Sequence, residues 1–253
     1  MKVSFIIPFH NEEINAPRML ERVITFAKKH RLSVEIIPID DRSSDKTGLI
    51  LKQYKRKYNN TIFPVFRPKD KEEKGNTMGK ALSLGTKKAK GDIIIWTMGD
   101  LADDTLTYLE IIKKLNKGYD MVFGSRYMPG GSRGNLDPLK AFLSSWGTLL
   151  ARFLFGMPVH DITNAFRGFH KNVFDSLTLD SPGFSISPEF AVKAHLAGFK
   201  LGEVPTVYTN RIEGVSNFRI YKMIKIYLLL YKDLYINYII LNKKDYILSN
   251  YSA

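Results

Sequence analysis

The sequence predicts an α/β fold, a mostly parallel sheet flanked by helices, with a C-terminal amphipathic helical appendage. Three observations point there. Strand and helix signals alternate along the first hundred residues, a polar cluster closes the first, second and fourth strands, and no linker or internal repeat interrupts the chain beyond Met121. Strands that alternate with helices favour parallel pairing, because the crossover that returns the chain in the same direction is usually a helix.

Residues 3–8 form the first strand, and 13–30 the first helix, with Ile14, Met19, Leu20, Val23 and Phe26 at helical spacing. Residues 33–39 give the second strand, which ends in the polar turn Asp40-Asp41-Arg42-Ser43-Ser44-Asp45. A helix over 46–58, a strand over 61–67, a helix over 78–89 and a strand over 92–97 follow. A short strand at 121–124 leads into a loop rich in Gly, Pro and Arg (127–135), then a helix runs from about Pro138 to Phe155. An irregular stretch over 160–168 leads into 169–177, a helix covers about Pro188 to Ala197, and a strand covers 202–208. The chain divides into a main domain, 1–217, and the appendage, 218–253. Within the appendage, 218–241 is rich in Ile, Leu and Tyr with Lys222, Lys225 and Lys232 between them. That composition suits a helix lying on a membrane surface, and equally one packed on the core or in a dimer interface.

With no cysteine, the chain excludes disulfides, thiol catalysis and Cys-ligated metal sites, which suits a cytoplasmic protein. The N-terminal apolar run is broken by Pro8 too early for a signal peptide, and Lys232, Asp233 and Asn237 interrupt the nearest candidate for a membrane span. A formal net charge of +13 calls for anionic partners, either phosphorylated molecules or an acidic membrane surface. No nucleic-acid reading motif accompanies the charge, so no nucleic-acid partner is expected.

Ligands of parallel sheets bind beyond the carboxyl ends of the strands. His10-Asn11-Glu12, Asp40-Asp41 and Met98-Gly99-Asp100 should therefore face one crevice. Asp41 can accept from a base imide or a ribose hydroxyl, whereas Asp45 fits the start of the next helix as a cap. Gly79 and Lys80 lie in a short helix start where a lysine can meet a phosphate, although the spacing is not that of a Walker P-loop. Asp100 suits Mg²⁺ or Mn²⁺, hard cations that take one or two carboxylates plus substrate phosphates. Asp103 and Asp104 either assist it or stabilise the helix that follows. Arg126, Lys140, Arg167 and Arg211 lie near irregular segments and are candidates to grip phosphate.

These residues resemble those of family 2 glycosyltransferases of the GT-A (Rossmann-like) fold, and within them the polyprenyl (dolichyl) phosphate sugar synthases, the dolichol-phosphate mannosyltransferase-like group. The resemblance runs from Val3 to about Tyr231. It is carried by Ile7-Pro8-Phe9-His10-Asn11-Glu12-Glu13, Ile39-Asp40-Asp41-Arg42-Ser43-Ser44-Asp45-Lys46-Thr47, Gly79-Lys80-Ala81-Leu82 and Gly124-Ser125-Arg126-Tyr127. Asp161-Ile162-Thr163-Asn164-Ala165-Phe166-Arg167, Gly202-Glu203-Val204-Pro205 and Arg211-Ile212-Glu213-Gly214-Val215-Ser216 continue it.

The resemblance implies inverting transfer of a sugar from a nucleoside-diphosphate sugar, GDP-mannose or a UDP-hexose, to a polyprenyl phosphate at the cytoplasmic face of a membrane. Pro8, His10, Glu12, Asp41, Gly79, Lys80, Gly99, Asp100 and Arg211 would bind the donor. Asp100 would hold the metal, with Asp161 and Arg126 completing the catalytic set. Arg126, Lys140, Ser144 and Arg167 would surround the acceptor phosphate.

Two positions depart from the family pattern. Met98 replaces the first aspartate of the DXD motif, and methionine is no ligand for Mg²⁺. Asn217 stands where relatives often have lysine. Transfer to a saccharide or protein hydroxyl, and a non-catalytic relative that binds nucleotide or an anionic membrane, stay open as alternatives.

Overall fold

The computed structural model describes residues 1–68, 76–209, 220–243 and 247–248. Seven strands form one sheet in the order β3-β2-β1-β4-β6-β5-β7. They are β1 (Val3–Phe9), β2 (Val34–Asp40), β3 (Val65–Phe66), β4 (Ile93–Trp96), β5 (Met121–Ser125), β6 (Arg167–His170) and β7 (Leu201–Pro205). Eight α-helices accompany them among the described residues: α1 (Asn15–Lys29), α2 (Thr47–Lys57), α3 (Met78–Lys88), α4 (Thr105–Leu115), α5 (Pro138–Phe155), α6 (Lys171–Asp175), α7 (Ile186–Leu196) and α8 (Ile220–Leu234).

All strand pairs are parallel except those of β6, which runs antiparallel between β4 and β5. The sequence reading left Arg167 and Gly168 in an irregular stretch; they are the first half of this strand. Side chains alternate between the two sheet faces, as a strand's period of two requires. Ile6, Ile94, Trp96 and Phe123 enter one core with α3, α5, α7 and α8, while Phe5, Ile7, Ile93, Ile95 and Val122 enter the other with α1 and α4. A sheet apolar on both faces explains why these strands read as continuous hydrophobic runs.

The chain moves from β1 to β2 and β3 on one side and then crosses to β4 on the other, so the switch point lies between β1 and β4. The β1–β4 register ends at Ile6 with Trp96. Pro8, the next residue of β1 on the β4 side, has no N–H to continue the ladder. Gly99 fits against this end because a Cβ there would stand 2.4 Å from the Phe9 ring and 2.9 Å from the Pro8 carbonyl.

The C-terminal segment packs on the body. Met223, Tyr227, Tyr231 and Leu234 of α8 are buried in the first core, and Tyr231 donates its hydroxyl to the Gly147 carbonyl of α5 (3.0 Å). A π-helical turn, Tyr235–Ile240, continues α8. No helix among the described residues is long and apolar enough to cross a membrane.

Candidate nucleotide-sugar site

The three polar clusters meet at one sheet edge. The loops after β1, β2 and β4 leave adjacent parallel strands, so strand ends two apart lie about 10 Å from each other at roughly 4.8 Å per step. Asn11, Arg42 and Leu101, one in each loop, have positive φ (56°, 63° and 65°). A non-glycine residue pays steric energy in that region, and such conformers gather where the surrounding structure fixes a loop for function. Here the fixing is visible. Asn11 Oδ1 accepts from Ser44 N (2.7 Å), and Arg22 donates to the Leu101 carbonyl (2.9 Å).

Asp41 is buried at the bottom of this edge. Its Oδ1 accepts from Arg67 Nη1 and from Arg42 Nε (3.3 Å), and its Oδ2 accepts from Thr77 Oγ1 (2.6 Å). A carboxylate has roughly four acceptor positions, so these bonds hold it in place and still leave acceptor capacity on Oδ2. His10 donates from Nδ1 to the Asp41 carbonyl (2.6 Å); since a carbonyl only accepts, Nδ1 carries the proton. Glu12 Oε2 accepts from Asn15 Nδ2 (2.7 Å), and the Glu12 amide donates to Thr47 Oγ1 (2.9 Å). Asp45 accepts from the amides of Thr47 and Glu13 (both 3.0 Å), the helix-start role read from sequence. Partial burial raises the Asp45 pKa, but these bonds outweigh it and leave the carboxyl below its ordinary value.

Asp100 is nearly buried, with Oδ1 accepting from the Ala102 amide (3.2 Å). Asp103, also buried, neighbours it. Its Oδ2 accepts from Thr97 Oγ1 and from the Met98 amide (both 2.9 Å), which anchors the turn that presents Asp100. Burial, and then the Asp100 charge, push the Asp103 carboxyl up to about 7. Asp104 caps α4 by accepting from the Leu106 amide (3.0 Å). Among the described residues no cluster of three or more His, Asp or Glu could hold a metal. Asp100 would offer a divalent cation a single carboxylate, which suits Mg²⁺ or Mn²⁺ only when phosphate oxygens supply further ligands.

Across the sheet, the start of antiparallel β6 and the end of parallel β5 reach the same edge. Arg126 donates from Nε to Asp161 Oδ2 (2.7 Å) and from Nη2 to Asp161 Oδ1 (3.0 Å), a fork-to-fork pair with Asp161 fully buried. Nη2 also donates to Ser144 Oγ (2.8 Å) and Thr163 Oγ1 (3.3 Å), and these two hydroxyls bond each other. Nη1 takes no part in these bonds. Burial opposes the Arg126 charge, but Asp161 beside it more than compensates and raises its pKa above the ordinary value. Lys140 stands one turn before Ser144 on α5, half-buried.

Two expected residues, Arg167 and Gly79, sit differently from the sequence reading. Arg167 is fully buried and does not line an acceptor surface. It donates to the carbonyls of Ser187 (2.9 Å), Ile162 (3.1 Å) and Asn164 (2.6 Å), and its guanidinium lies over the Phe123 ring at 4.7 Å. Burial lowers its pKa to about 9, although Asp161 and Tyr227 partly counter this. Arg167 thus braces the loop that carries Asp161. Gly79 is pressed against the 181–183 backbone, where a Cβ would come within 2.3 Å of the Ser181 carbonyl. The Lys80 amide donates to the Pro182 carbonyl (3.1 Å), so this turn of α3 already has a protein partner. Arg211 lies outside the described residues. Sequence reasoning missed Arg67, Thr77 and Thr163 as members of the site; Arg67 at the end of a predicted strand was the available signal for the first.

Residues 4–178 match the family model described as Glycosyl transferase family 2. The chain is 30% identical over 223 residues to dolichol-phosphate mannosyltransferase of Pyrococcus furiosus, covering 87% of this chain and 60% of that protein. It is 29% identical over 215 residues to polyprenol monophosphomannose synthase of Mycolicibacterium smegmatis, covering 83% and 78%. This chain thus spans about 60% of the length of the first of these relatives. Among solved structures, glucosyl-3-phosphoglycerate synthase of Mycobacterium tuberculosis with Mn²⁺ and UDP-glucose superposes with a TM-score of 0.62 at 14% identity, covering 91% of this chain and 78% of that one. The same enzyme with Mn²⁺, UDP and phosphoglyceric acid gives a TM-score of 0.58 at 18% identity, covering 83% and 71%. At these identities the structural likeness speaks for the fold alone.

Proposed function

The chain belongs to glycosyl transferase family 2, and from that premise we propose that it transfers a hexose from a nucleoside-diphosphate sugar to a polyprenyl phosphate with inversion at the anomeric carbon. The observation that carries the reading is the sheet edge itself, where Asp41 and Asp100 flank the switch point and the Arg126–Asp161 pair closes the far side. Identity near 30% to enzymes named for dolichyl and polyprenyl phosphate acceptors supports the acceptor class. The base and the sugar, GDP-mannose or a UDP-hexose, stay open.

In this reading Asp41 takes a donor hydrogen bond from the nucleoside while Arg67, Arg42 and Thr77 keep its carboxylate oriented. Pro8, His10, Glu12 and Gly99 shape the floor, and Asp100 meets the diphosphate. A divalent cation shared by Asp100 and the diphosphate would supply Lewis-acid stabilisation of the leaving group. The acceptor phosphate oxygen forms the new bond to the anomeric carbon as the bond to the diphosphate breaks on the opposite face. A phosphate monoester is already largely dianionic near neutral pH, with a second pKa of about 6, so no general base is needed. This agrees with the state of Asp161, whose oxygens accept from Arg126, Thr163 and the Asn164 amide. In the same reading Arg126, Lys140 and Ser144 would orient the acceptor phosphate, Arg126 already being bonded to Ser144. The buried bonds of Arg126 fix the guanidinium before substrate arrives, so little ordering remains to be done on binding.

The test is incubation with labelled GDP-mannose and UDP-hexoses, Mg²⁺ or Mn²⁺, and a polyprenyl phosphate. Label should enter an organic-soluble product with one donor. No product with any donor overturns the proposal.

A further inference from the structure

Asp41 stands at the sheet edge with most of its hydrogen-bonding capacity already used by the protein. An ionised carboxylate only accepts, at roughly four positions. On Oδ1 two of them receive Arg67 Nη1 and Arg42 Nε, and on Oδ2 one receives Thr77 Oγ1. The direction of the Thr77 bond is fixed. Arg42 Nη2 donates to the same hydroxyl oxygen (2.6 Å), and a guanidinium has no lone pair to receive the hydroxyl proton, which therefore goes to Asp41. One acceptor position remains, on Oδ2.

A nucleobase that meets this carboxylate can hand it one N–H and no more. The bases differ in what their pairing edges offer beside that N–H. Guanine engages a carboxylate through two adjacent donors, N1–H and an amino N–H, and these need both oxygens. The second donor would arrive at Oδ1, where two guanidinium N–H groups already stand, and donor would face donor. Uracil offers a single donor, N3–H, between two carbonyls. Its N–H fits Oδ2, and the carbonyl beside it falls on the Oδ1 side, where arginine can only donate. Cytosine and adenine carry a ring lone pair where the N–H is required, and a carboxylate repels it.

We propose that Asp41, set by Arg67, Arg42 and Thr77, makes this enzyme select a uridine-diphosphate sugar over a guanosine-diphosphate sugar. The proposal rests on the reading above that Asp41 receives the nucleoside, and it adds the identity of the base. Asp41 is the contact, and the residues that ration its lone pairs determine the choice. Two of these, Arg67 and Thr77, lie outside the segments that carry the family resemblance, so membership of the family leaves the base undecided and this bonding pattern decides it.

Isothermal titration of the full chain with UDP, GDP, CDP and N3-methyl-UDP, each with Mg²⁺, reads the base without any variant. UDP should bind at least about tenfold more tightly than each of the others, because a buried polar group left unpaired typically costs about that factor or more. Asp41→Asn gives a second, opposite forecast. The two arginines hold the amide oxygen on the Oδ1 side, so Nδ2 takes the place of Oδ2 and presents a donor. That donor opposes N3–H of uracil and suits N3 of cytosine, so the UDP-to-CDP preference should fall by at least about tenfold. GDP binding as tightly as UDP, or N3-methyl-UDP binding like UDP, overturns the proposal. So does an Asp41→Asn protein that keeps the wild-type UDP-to-CDP ratio. Transfer assays separate this proposal from the function on which it draws. Transfer to polyprenyl phosphate from a guanosine-diphosphate sugar alone refutes the base and leaves the lipid-acceptor reading standing. Selective UDP binding with no transfer from any nucleotide sugar does the opposite.

Discussion

Replacing Asp161 by Asn tests what holds the Arg126 side of the site together. The amide keeps the size of the carboxylate but turns one acceptor into a donor, and it leaves Arg126 charged with no anion in contact. Asp161 is fully buried and receives bonds from Arg126 Nε and Nη2, Thr163 Oγ1 and the Asn164 amide. Removing one member of a buried ion pair typically costs about 3–5 kcal/mol. For a chain of this size each kcal/mol lowers the unfolding temperature by about 2–4 °C, so Asp161→Asn should lose at least ~6 °C in a thermal melt. Substituting both partners, Arg126→Met with Asp161→Leu, should recover much of that stability because no buried charge is left unpaired. The double variant should nevertheless fail to transfer sugar, since the guanidinium is gone. A general base at Asp161 makes a different forecast, in which Asp161→Asn abolishes turnover while the melt is undisturbed. A melting temperature within 2 °C of wild type (well below the ~6 °C expected for a broken buried pair) would refute the buried-pair argument.

Three further outcomes are expected. Asp100→Asn should fold normally, because Asp103 and not Asp100 anchors the Thr97–Met98 turn, yet lose the thermal stabilisation that Mn²⁺ plus nucleotide gives wild type; both are read in one ligand-titrated melt. Gly79→Ala forces a methyl to 2.3 Å from the Ser181 carbonyl, an overpacking that should cost about 1–3 kcal/mol in urea unfolding. Glu35 sits at the opposite sheet edge, where burial raises its pKa but the bonds from Ser4, Lys90 and Lys2 outweigh it, leaving the carboxyl below its ordinary value of 4.5. Its stabilising contribution is therefore complete above pH 4.5 and disappears as pH falls through the lower folded value. Glu35→Gln should flatten that acid limb of a stability–pH curve.

Much of the sheet edge that carries Asp41 and Asp100 was legible in the sequence for a simple physical reason. A buried parallel strand writes itself as an apolar run, and the residue that ends it must be polar because it meets solvent or ligand. Ile93-Ile94-Ile95-Trp96 followed by Asp100, and Ile36 to Ile39 followed by Asp41, are read that way, and α5 begins at Pro138 because Asp137 accepts from the Leu139 and Lys140 amides. Arg167 was not legible. An arginine within an irregular segment reads as surface charge, and what buries this one is a set of carbonyls from Ile162, Asn164 and Ser187 that only the folded chain collects. Asp103 was ambiguous for the same kind of reason, since its partners are a hydroxyl and an amide of the preceding turn and carry no sequence mark.

The unpredicted strand is also what brings Asp161 to Arg126. β6 is four residues long, with Gly168 inside and Arg167 and His170 at its ends, so it shows neither alternation nor a β-branched run. Its direction matters more than its length. A parallel strand in that place would enter the sheet at the edge remote from Asp100 and deliver residues 160–166 there. Because β6 is antiparallel to both β4 and β5, its first residue pairs with Trp96 and Phe123, near the ends where those strands exit. The loop before β6 therefore meets the loops after β4 and β5, and Asp161 can reach Arg126. Burial of Arg167 against Trp96 and Phe123 then locks that direction in place, since the reverse register would move its guanidinium away from the three carbonyls it now serves. One reversed strand thus adds the Arg126–Asp161 pair to the sheet edge that carries Asp41 and Asp100.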